Sequence, residues 1–207
     1  MGFLMDDCTH LISPRFVNVR KEKEKFALTR EQSATLLKAA QNIDEKFYFI
    51  CLLGIVSGLR WAEITALQYK DINFEDGYIQ ICKSQHKNIL NHKVKNSKSH
   101  SVPLIPVLRD SALRYCNTYG KCKTKNDFLF QTKNKNFLNV AGYNRRLKAI
   151  CKENNLPQIT FHQLRATCNV LYLSAGFSQV VVSKILNHSS PQMSFLYNRM
   201  GNEQKQE

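Results

Sequence analysis

The longest apolar run in the sequence, FYFICLLGIV at 47–56, limits what the chain can fold into. It is far shorter than the roughly 20 apolar residues that a membrane-spanning helix needs, and its length suits a buried helix. Gly58 follows it, and glycine is the usual residue in the left-handed position that ends a helix. We therefore predict a buried helix over 44–57.

Capping residues mark most of the other predicted helices. Thr29 with Gln32, and Thr160 with Gln163, have the spacing of a capping box, and Ser178 precedes another apolar segment. The segments 78–82 and 101–105 alternate as paired strands do, and the polar, basic stretch between them is predicted as a long hairpin tip. The predicted fold is mainly α with a small antiparallel β-sheet (α+β). The first predicted helix begins near residue 29. The others span 44–57, 60–69, 107–119, 139–154, 160–176, 178–187 and the segment from Ser190 to Tyr197.

The charge balance points to a polyanionic partner. The 207 residues include 30 Lys and Arg against 16 Asp and Glu, a formal net charge of +14. Such an excess favours nucleic acid first and an anionic membrane second. The alternative is a protein that is merely basic.

The seven cysteines do not suggest disulfides or zinc. Their number is odd, they are scattered, and no CxxC pair occurs. This pattern is typical of reduced thiols in a cytosol, several of them packed in the core. The N-terminus, MGFLMDDCTH, has no basic segment before an apolar one, so it does not resemble a signal peptide.

A few polar residues could together handle a phosphodiester. Arginine offers a planar fork of donors that suits phosphate oxygens, imidazoles add donors, a tyrosine hydroxyl can attack phosphorus, and a lysine can protonate the leaving oxygen. Each residue alone also has an ordinary explanation, such as a helix-end dipole partner, a packing aromatic or a solvated face. The candidates are Arg60, Lys95, His162, Arg165, His188 and Tyr197.

Four separated segments, SGLRWAEI, KNSKSHSVPL, FHQLRAT and LNHSSPQMSFLY, occur in the order typical of one family. Together they strongly resemble the catalytic domain of tyrosine recombinases, the phage integrase and Xer-type family, over about residues 25–200. The resemblance implies the fold of that catalytic domain. It also implies cutting and rejoining of DNA through a 3′-phosphotyrosine, without ATP, metal or another cofactor; the sequence agrees, since it has no P-loop.

The resemblance assigns the residues that would bind the scissile phosphate. Arg60 and Arg165 match the arginines that clamp it, and His162 and His188 match the histidines that support it. Glu63 matches an acidic residue that we expect to orient Arg60 rather than to catalyse.

Two further residues match the groups that make and break bonds. Tyr197 matches the nucleophile, and Lys95 matches the hairpin lysine that acts as general acid. The spacing to Pro103 favours Lys95 over Lys98. Other lysines of the basic hairpin are expected to contact DNA; this set is Lys83, Lys87, Lys93 and Lys98.

The sequence departs from the family pattern at four positions. The family often has Thr at Ser57, Asp at Gln163, a second His at Ala166 and Gly at Asn187. None of these changes removes a catalytic position, but two of them alter the surroundings of Arg165.

The resemblance also implies an organisation and partners. Residues 1–28 match the end of a missing N-terminal core-binding domain plus its linker, residues 29–200 the catalytic domain, and residues 201–207 a C-terminal tail. The expected partners are double-stranded DNA attachment sites, three further copies in a homotetramer when full length, and an accessory directionality factor, with no membrane. The expected location is cytoplasmic and nucleoid-associated, and a mobile element or phage is the expected source.

Two other functions remain open from the sequence. The chain could be a DNA-binding fragment without turnover, which the basic charge supports equally well. It could also relax supercoiled DNA as type IB topoisomerases do, since that reaction uses the same chemistry without a partner site.

Overall fold

The computed structural model of the protein describes residues 27–86, 89–91, 99–121 and 123–187. Its helices are α1 (Arg30–Ile43), α2 (Glu45–Val56), α3 (Trp61–Ile64), α4 (Pro106–Tyr119), α5 (Val140–Glu153), α6 (Phe161–Ser174) and α7 (Gln179–Ile185). Its strands are β1 (Ile72–Asn73), β2 (Tyr78–Ile81), β3 (Ser84–His86), β4 (Ile89–Asn91) and β5 (His100–Pro103). Within these ranges no helix combines the length and the apolar character needed to cross a bilayer. The predicted α+β class is confirmed.

Helix α2 is the centre of the core, as the apolar run predicted. Every residue from Phe47 to Ile55 is buried, and α1, α4 and α6 all pack on this helix. Asp44 caps its start by accepting the Phe47 N–H at 2.6 Å. Each large side chain buried here contributes about 1.5–3 kcal/mol relative to an exposed one, so α2 supplies much of the stability of the framework.

A glycine lets α6 approach α2 closely. A Cβ built on Gly54 would lie 3.0 Å from Leu164 Cδ1 and 3.1 Å from its Cβ. Leu164 is fully buried and lies between His162 and Arg165 in the sequence. The close contact therefore packs one turn of α6 against α2, and this turn carries both candidate residues.

The predicted start of α6 is confirmed. The Gln163 side-chain oxygen accepts the Thr160 N–H at 2.8 Å and the Thr160 hydroxyl at 3.0 Å. The Phe161 N–H donates to Asn144 Oδ1 at 2.9 Å, which ties this end to α5. These bonds satisfy N–H groups that a helix start leaves without partners, so the first turn of α6 is firmly anchored.

The predicted strand pair is confirmed, with one difference. The sheet has the order β1-β2-β5 and is antiparallel, with Ile79 opposite Val102. The stretch after β2 was predicted as a polar hairpin tip, but part of it forms a second two-stranded sheet, in which Gln85 lies opposite Leu90. Gln85 is buried and its side-chain oxygen accepts a hydrogen bond from the Thr65 hydroxyl at 3.2 Å. This contact anchors strand β3 of the second sheet to the core.

The predicted helix over 60–69 is wrong in its length. Only α3, Trp61–Ile64, is helical, and a 3-10 turn, Tyr69–Asp71, follows after a break. The break occurs because a distant segment takes the backbone groups. The Leu67 carbonyl accepts the Leu129 N–H at 2.7 Å, and the Tyr69 N–H donates to the Asp127 carbonyl at 3.2 Å.

Three cysteines are packed in the core, as predicted. Cys51, Cys151 and Cys168 are buried, and all five cysteines in the described ranges are free thiols. Burial raises the pKa of the Cys168 thiol to about 12, although nearby Arg165 opposes the rise. Cys8, Cys122 and the predicted helix from Ser190 to Tyr197 lie outside the described residues.

Candidate active site

Arg60 is oriented by a buried carboxylate. It stands immediately before α3, and its N–H donates to Glu63 Oε2 at 2.8 Å while its Nη1 donates to Glu63 Oε1 at 2.8 Å. The Glu63 side chain is 1% exposed, whereas that of Arg60 is 29% exposed. The buried carboxylate thus restrains the Arg60 guanidinium, while part of the Arg60 side chain stays exposed to solvent.

The turn before Arg60 requires a glycine. Gly58 has φ 61°, the left-handed conformation that side chains with a Cβ disfavour. A Cβ at this position would also collide with the Leu186 side chain and lie 3.2 Å from Cys168 Sγ. The predicted helix end at Gly58 is confirmed, and the turn brings Arg60 toward α6 and α7.

Arg165 joins the same turn to the end of α7. It is 5% exposed, its Nη1 donates to the Gly58 carbonyl at 2.5 Å, and its Nη2 donates to the Leu186 carbonyl. In the sequence, Arg165 is 107 positions from Gly58 and 21 positions from Leu186. Its side chain therefore joins the Gly58 turn to the end of α7. A buried cation held in this way adds a fixed positive charge to the site.

Arg60, His162 and Arg165 line a single open cavity of about 780 Å³. His162 is exposed, on the first turn of α6. The cavity therefore brings together three of the six predicted catalytic residues, all of which can donate hydrogen bonds to an anion. Its other lining residues are Leu59, Trp61, Ala62, Gln85, Phe137, Leu138, Asn139, Val140, Asn144, Thr160 and Phe161.

Aromatic packing supports this cavity. The Trp61 ring lies 4.8 Å from that of Phe161 and 5.2 Å from that of Tyr143, measured between centroids. Such tilted contacts contribute about 0.5–1.5 kcal/mol beyond buried area. The three rings come from α3, α6 and α5, so they fix the helix that follows Arg60 against the helix that carries His162.

The structure explains two departures from the family pattern. Gln163 accepts hydrogen bonds at the cap of α6, so it has a structural role at this position. Asn187 has φ 47°, where the family often has glycine; asparagine tolerates this conformation better than most residues.

His100 is a site residue that the sequence interpretation missed. It is half-buried on β5, and burial lowers the pKa of its imidazole, as do the charges of Arg165 and Arg60, while the Glu63 charge raises it. Register could have found it: His100 lies opposite Ile81 and two residues before Val102, both buried. Residues opposite each other and two apart share one face of a sheet.

Lys83 has an internal partner. Its ammonium donates to Gln68 Oε1 at 2.5 Å and lies 3.3 Å from both oxygens of the Asp71 carboxylate, and its side chain is 13% exposed. We therefore leave it out of the proposed DNA contacts. The remaining predicted residues lie outside the described ranges; they are Lys87, Lys93, Lys95, Lys98, His188 and Tyr197.

Comparison with models of known protein families identifies the family of this chain. The model of the family described as "Phage integrase family" matches residues 27–204. The chain belongs to the phage integrase family. The resemblance drawn from the four sequence segments is thereby confirmed.

Relatives of this phage integrase family member include enzymes of mobile elements. It is 27% identical over 192 residues to the transposase from transposon Tn916 of Enterococcus faecalis, covering 84% of the chain and 47% of the transposase. It is 25% identical over 158 residues to the probable integrase/recombinase YoeC of Bacillus subtilis (strain 168), covering 75% and 78%. The chain thus spans about half the length of the Tn916 transposase.

Solved structures of tyrosine recombinases share the fold of this family member. The Tn1549 transposon integrase (residues 82–397) in complex with circular intermediate DNA matches with a TM-score of 0.74 at 21% identity, covering 86% of the chain and 63% of that integrase fragment. XerA recombinase matches with a TM-score of 0.69 at 20% identity, covering 83% and 59%. The predicted tyrosine recombinase catalytic-domain fold is confirmed.

Proposed function

We propose that the chain is the catalytic part of a site-specific DNA recombinase or integrase of a mobile element or phage. One observation carries the proposal: Arg60 and the pair His162 and Arg165, predicted from two separate sequence segments, line one cavity. Family membership supports the same chemistry. In this proposal residues 29–200 form the catalytic domain.

The two arginines would bind the scissile phosphate. Arg60 keeps 29% of its side chain exposed while Glu63 restrains its guanidinium, so it can contact a ligand without losing its orientation. Arg165 supplies a nearby buried positive charge. Preorganised cations stabilise the charge that grows on non-bridging oxygens during phosphoryl transfer, and His162 would add a donor from the rim.

Tyr197 would be the nucleophile of the reaction. Its hydroxyl loses a proton to a histidine of the site, its oxygen forms a bond to phosphorus, the bond from phosphorus to the 5′ oxygen breaks, and Lys95 donates a proton to that oxygen. The products are a 3′-phosphotyrosyl link and a 5′-hydroxyl. The 5′-hydroxyl of another strand then attacks the phosphotyrosine and releases Tyr197, with His188 assisting, and neither ATP nor a metal ion enters the balance.

Double-stranded DNA attachment sites would be the substrate. The net charge of +14 supports binding through phosphates, and such binding weakens steeply as salt concentration rises. Lys87, Lys93 and Lys98 are proposed contacts on the basic hairpin. A homotetramer of the full-length protein and an accessory directionality factor belong to the same proposal.

The experiment is covalent trapping on a nicked suicide duplex that carries the terminal sequences of the element. We expect a protein–DNA band on a denaturing gel, absent in Tyr197→Phe, which should keep its DNA affinity. An adduct that persists in Tyr197→Phe would contradict the assignment. DNA binding without any adduct would favour the DNA-binding fragment, and relaxation of plasmids regardless of site would favour the topoisomerase-like alternative.

A further inference from the structure

His100 contacts a residue at the far end of the described chain. The Asn187 Nδ2 atom lies 3.1 Å from His100 Nδ1, across 87 positions of sequence. Asn187 follows α7 with φ 47°, and its N–H donates to the Lys184 carbonyl at 3.1 Å. The contact therefore joins strand β5 to the turn that ends α7.

The end of α7 is held at two successive residues. The Leu186 carbonyl accepts from Arg165, and Asn187 contacts His100. In sequence, His188 directly follows Asn187, and Lys95 comes five positions before the first residue of β5. The two proposed catalytic residues are thus sequence neighbours of the two segments that this contact connects.

The surroundings of His100 favour its neutral form. Three charged side chains interact electrostatically with its imidazole: Glu63 from α3, Arg165 from α6 and Arg60 from the turn before α3. His100 also lines a small cavity of about 170 Å³, and Lys184 of α7 lines this cavity too. Burial has the largest effect and lowers its pKa. A neutral imidazole with its proton on Nε2 leaves Nδ1 as an acceptor for the Asn187 amide.

We propose, resting on the recombinase function above, that His100 is a positioning residue for DNA cleavage that acts through Asn187. The contact fixes the turn after α7 against β5, beside the arginines that would bind the phosphate. Without it, that turn loses its side-chain contact with β5, while the bond from Arg165 to the Leu186 carbonyl remains. Small displacements of catalytic groups slow a reaction strongly, whereas DNA affinity, which depends on many phosphate contacts, changes little.

A double-mutant cycle in the 207-residue chain tests the contact. His100→Leu removes the acceptor, and Asn187→Gly removes the amide while glycine keeps the positive φ without strain. We expect each variant to cleave a suicide duplex about tenfold more slowly in single turnover, with unchanged DNA affinity, and the double variant to be no slower. Ser101→Ala, an exposed neighbour on β5, should keep the original rate.

Two conservative variants separate positioning from general destabilisation. His100→Asn sets an oxygen at about the position of Nδ1 and should restore most of the rate, whereas His100→Gln sets its oxygen near Nε2 and should not. Additive effects in the cycle, or equal rates for these two variants, would overturn the inference while leaving the recombinase function intact. Absence of any adduct in the unmodified chain would overturn both.

Discussion

Replacing Glu63 with glutamine tests whether the site depends on a buried carboxylate. Glu63 accepts two hydrogen bonds from Arg60, both at 2.8 Å, and its side chain is 1% exposed. In Glu63→Gln, the single oxygen can keep only one of them, and the new NH₂ group lies opposite a donor. A lost hydrogen bond to a charged group costs about 1.5–3 kcal/mol, and an unsatisfied buried donor about 1–3 kcal/mol.

The two costs overlap, because some reorganisation of the side chain relieves both. We therefore expect Glu63→Gln to lower the free energy of unfolding by about 2–4 kcal/mol, measured by urea denaturation followed by circular dichroism. It should also slow cleavage of a suicide duplex, since Arg60 loses its restraint.

Glu75→Gln is the matched control. Glu75 is exposed in the turn between β1 and β2, so the same chemical change should alter the free energy of unfolding by less than about 0.5 kcal/mol. If Glu63→Gln were as mild as this control, the claim that a buried carboxylate organises the site would be refuted.

Two further predictions concern stability. Gly58→Ala should lower the free energy of unfolding by about 2–4 kcal/mol, since the left-handed backbone and the collision with Leu186 both oppose a Cβ. Gly77→Ala, at φ 71° with open space around it, should cost only about 1–2 kcal/mol; equal losses in urea denaturation would contradict the packing argument. The lowered pKa of His100 means that the folded protein binds fewer protons there than the unfolded chain, so stability is lost as pH falls below the ordinary value of 6.5. Between about pH 7.5 and 5.5, His100→Asn should lose less stability than the original chain; an equal or larger loss would argue against a buried neutral imidazole.

Local signals in the sequence predicted much of the framework. The apolar run at 47–56, the Thr160 and Gln163 pair and Gly58 each act over a few residues, and each has the predicted role in the structure. The pairing of 78–82 with 101–105 followed from alternation, because residues on one face of a strand are two apart.

Long-range contacts account for what the sequence did not predict. The helix expected over 60–69 ends at Ile64 because residues near Asp127 and Leu129 bond to the backbone beyond it. His100 was missed because its importance comes from Asn187, which is 87 positions away. A short stretch of sequence around either segment does not include these distant partners.

The candidate site residues were chosen from the order of the four sequence segments rather than from any single residue. Single residues such as Arg60 or His162 have ordinary explanations on a helix surface, and their meeting at one cavity depends on the turn at Gly58 and the packing of α6 on α2. The internal ion pair of Lys83 could not be foreseen, since Asp71 and Gln68 come from a turn that the sequence had assigned in part to a helix.

Mass-spectrometric mapping of the covalent adduct tests the central claim most directly. Cleavage by trypsin after Lys184 and Arg199 yields the peptide ILNHSSPQMSFLYNR, in which Tyr197 is the one tyrosine and three serines offer competing hydroxyls. After trapping on a suicide duplex and digestion of the DNA, the account predicts a 3′-linked nucleotide on Tyr197. A nucleotide on a serine, on another tyrosine or linked through its 5′ end would contradict it.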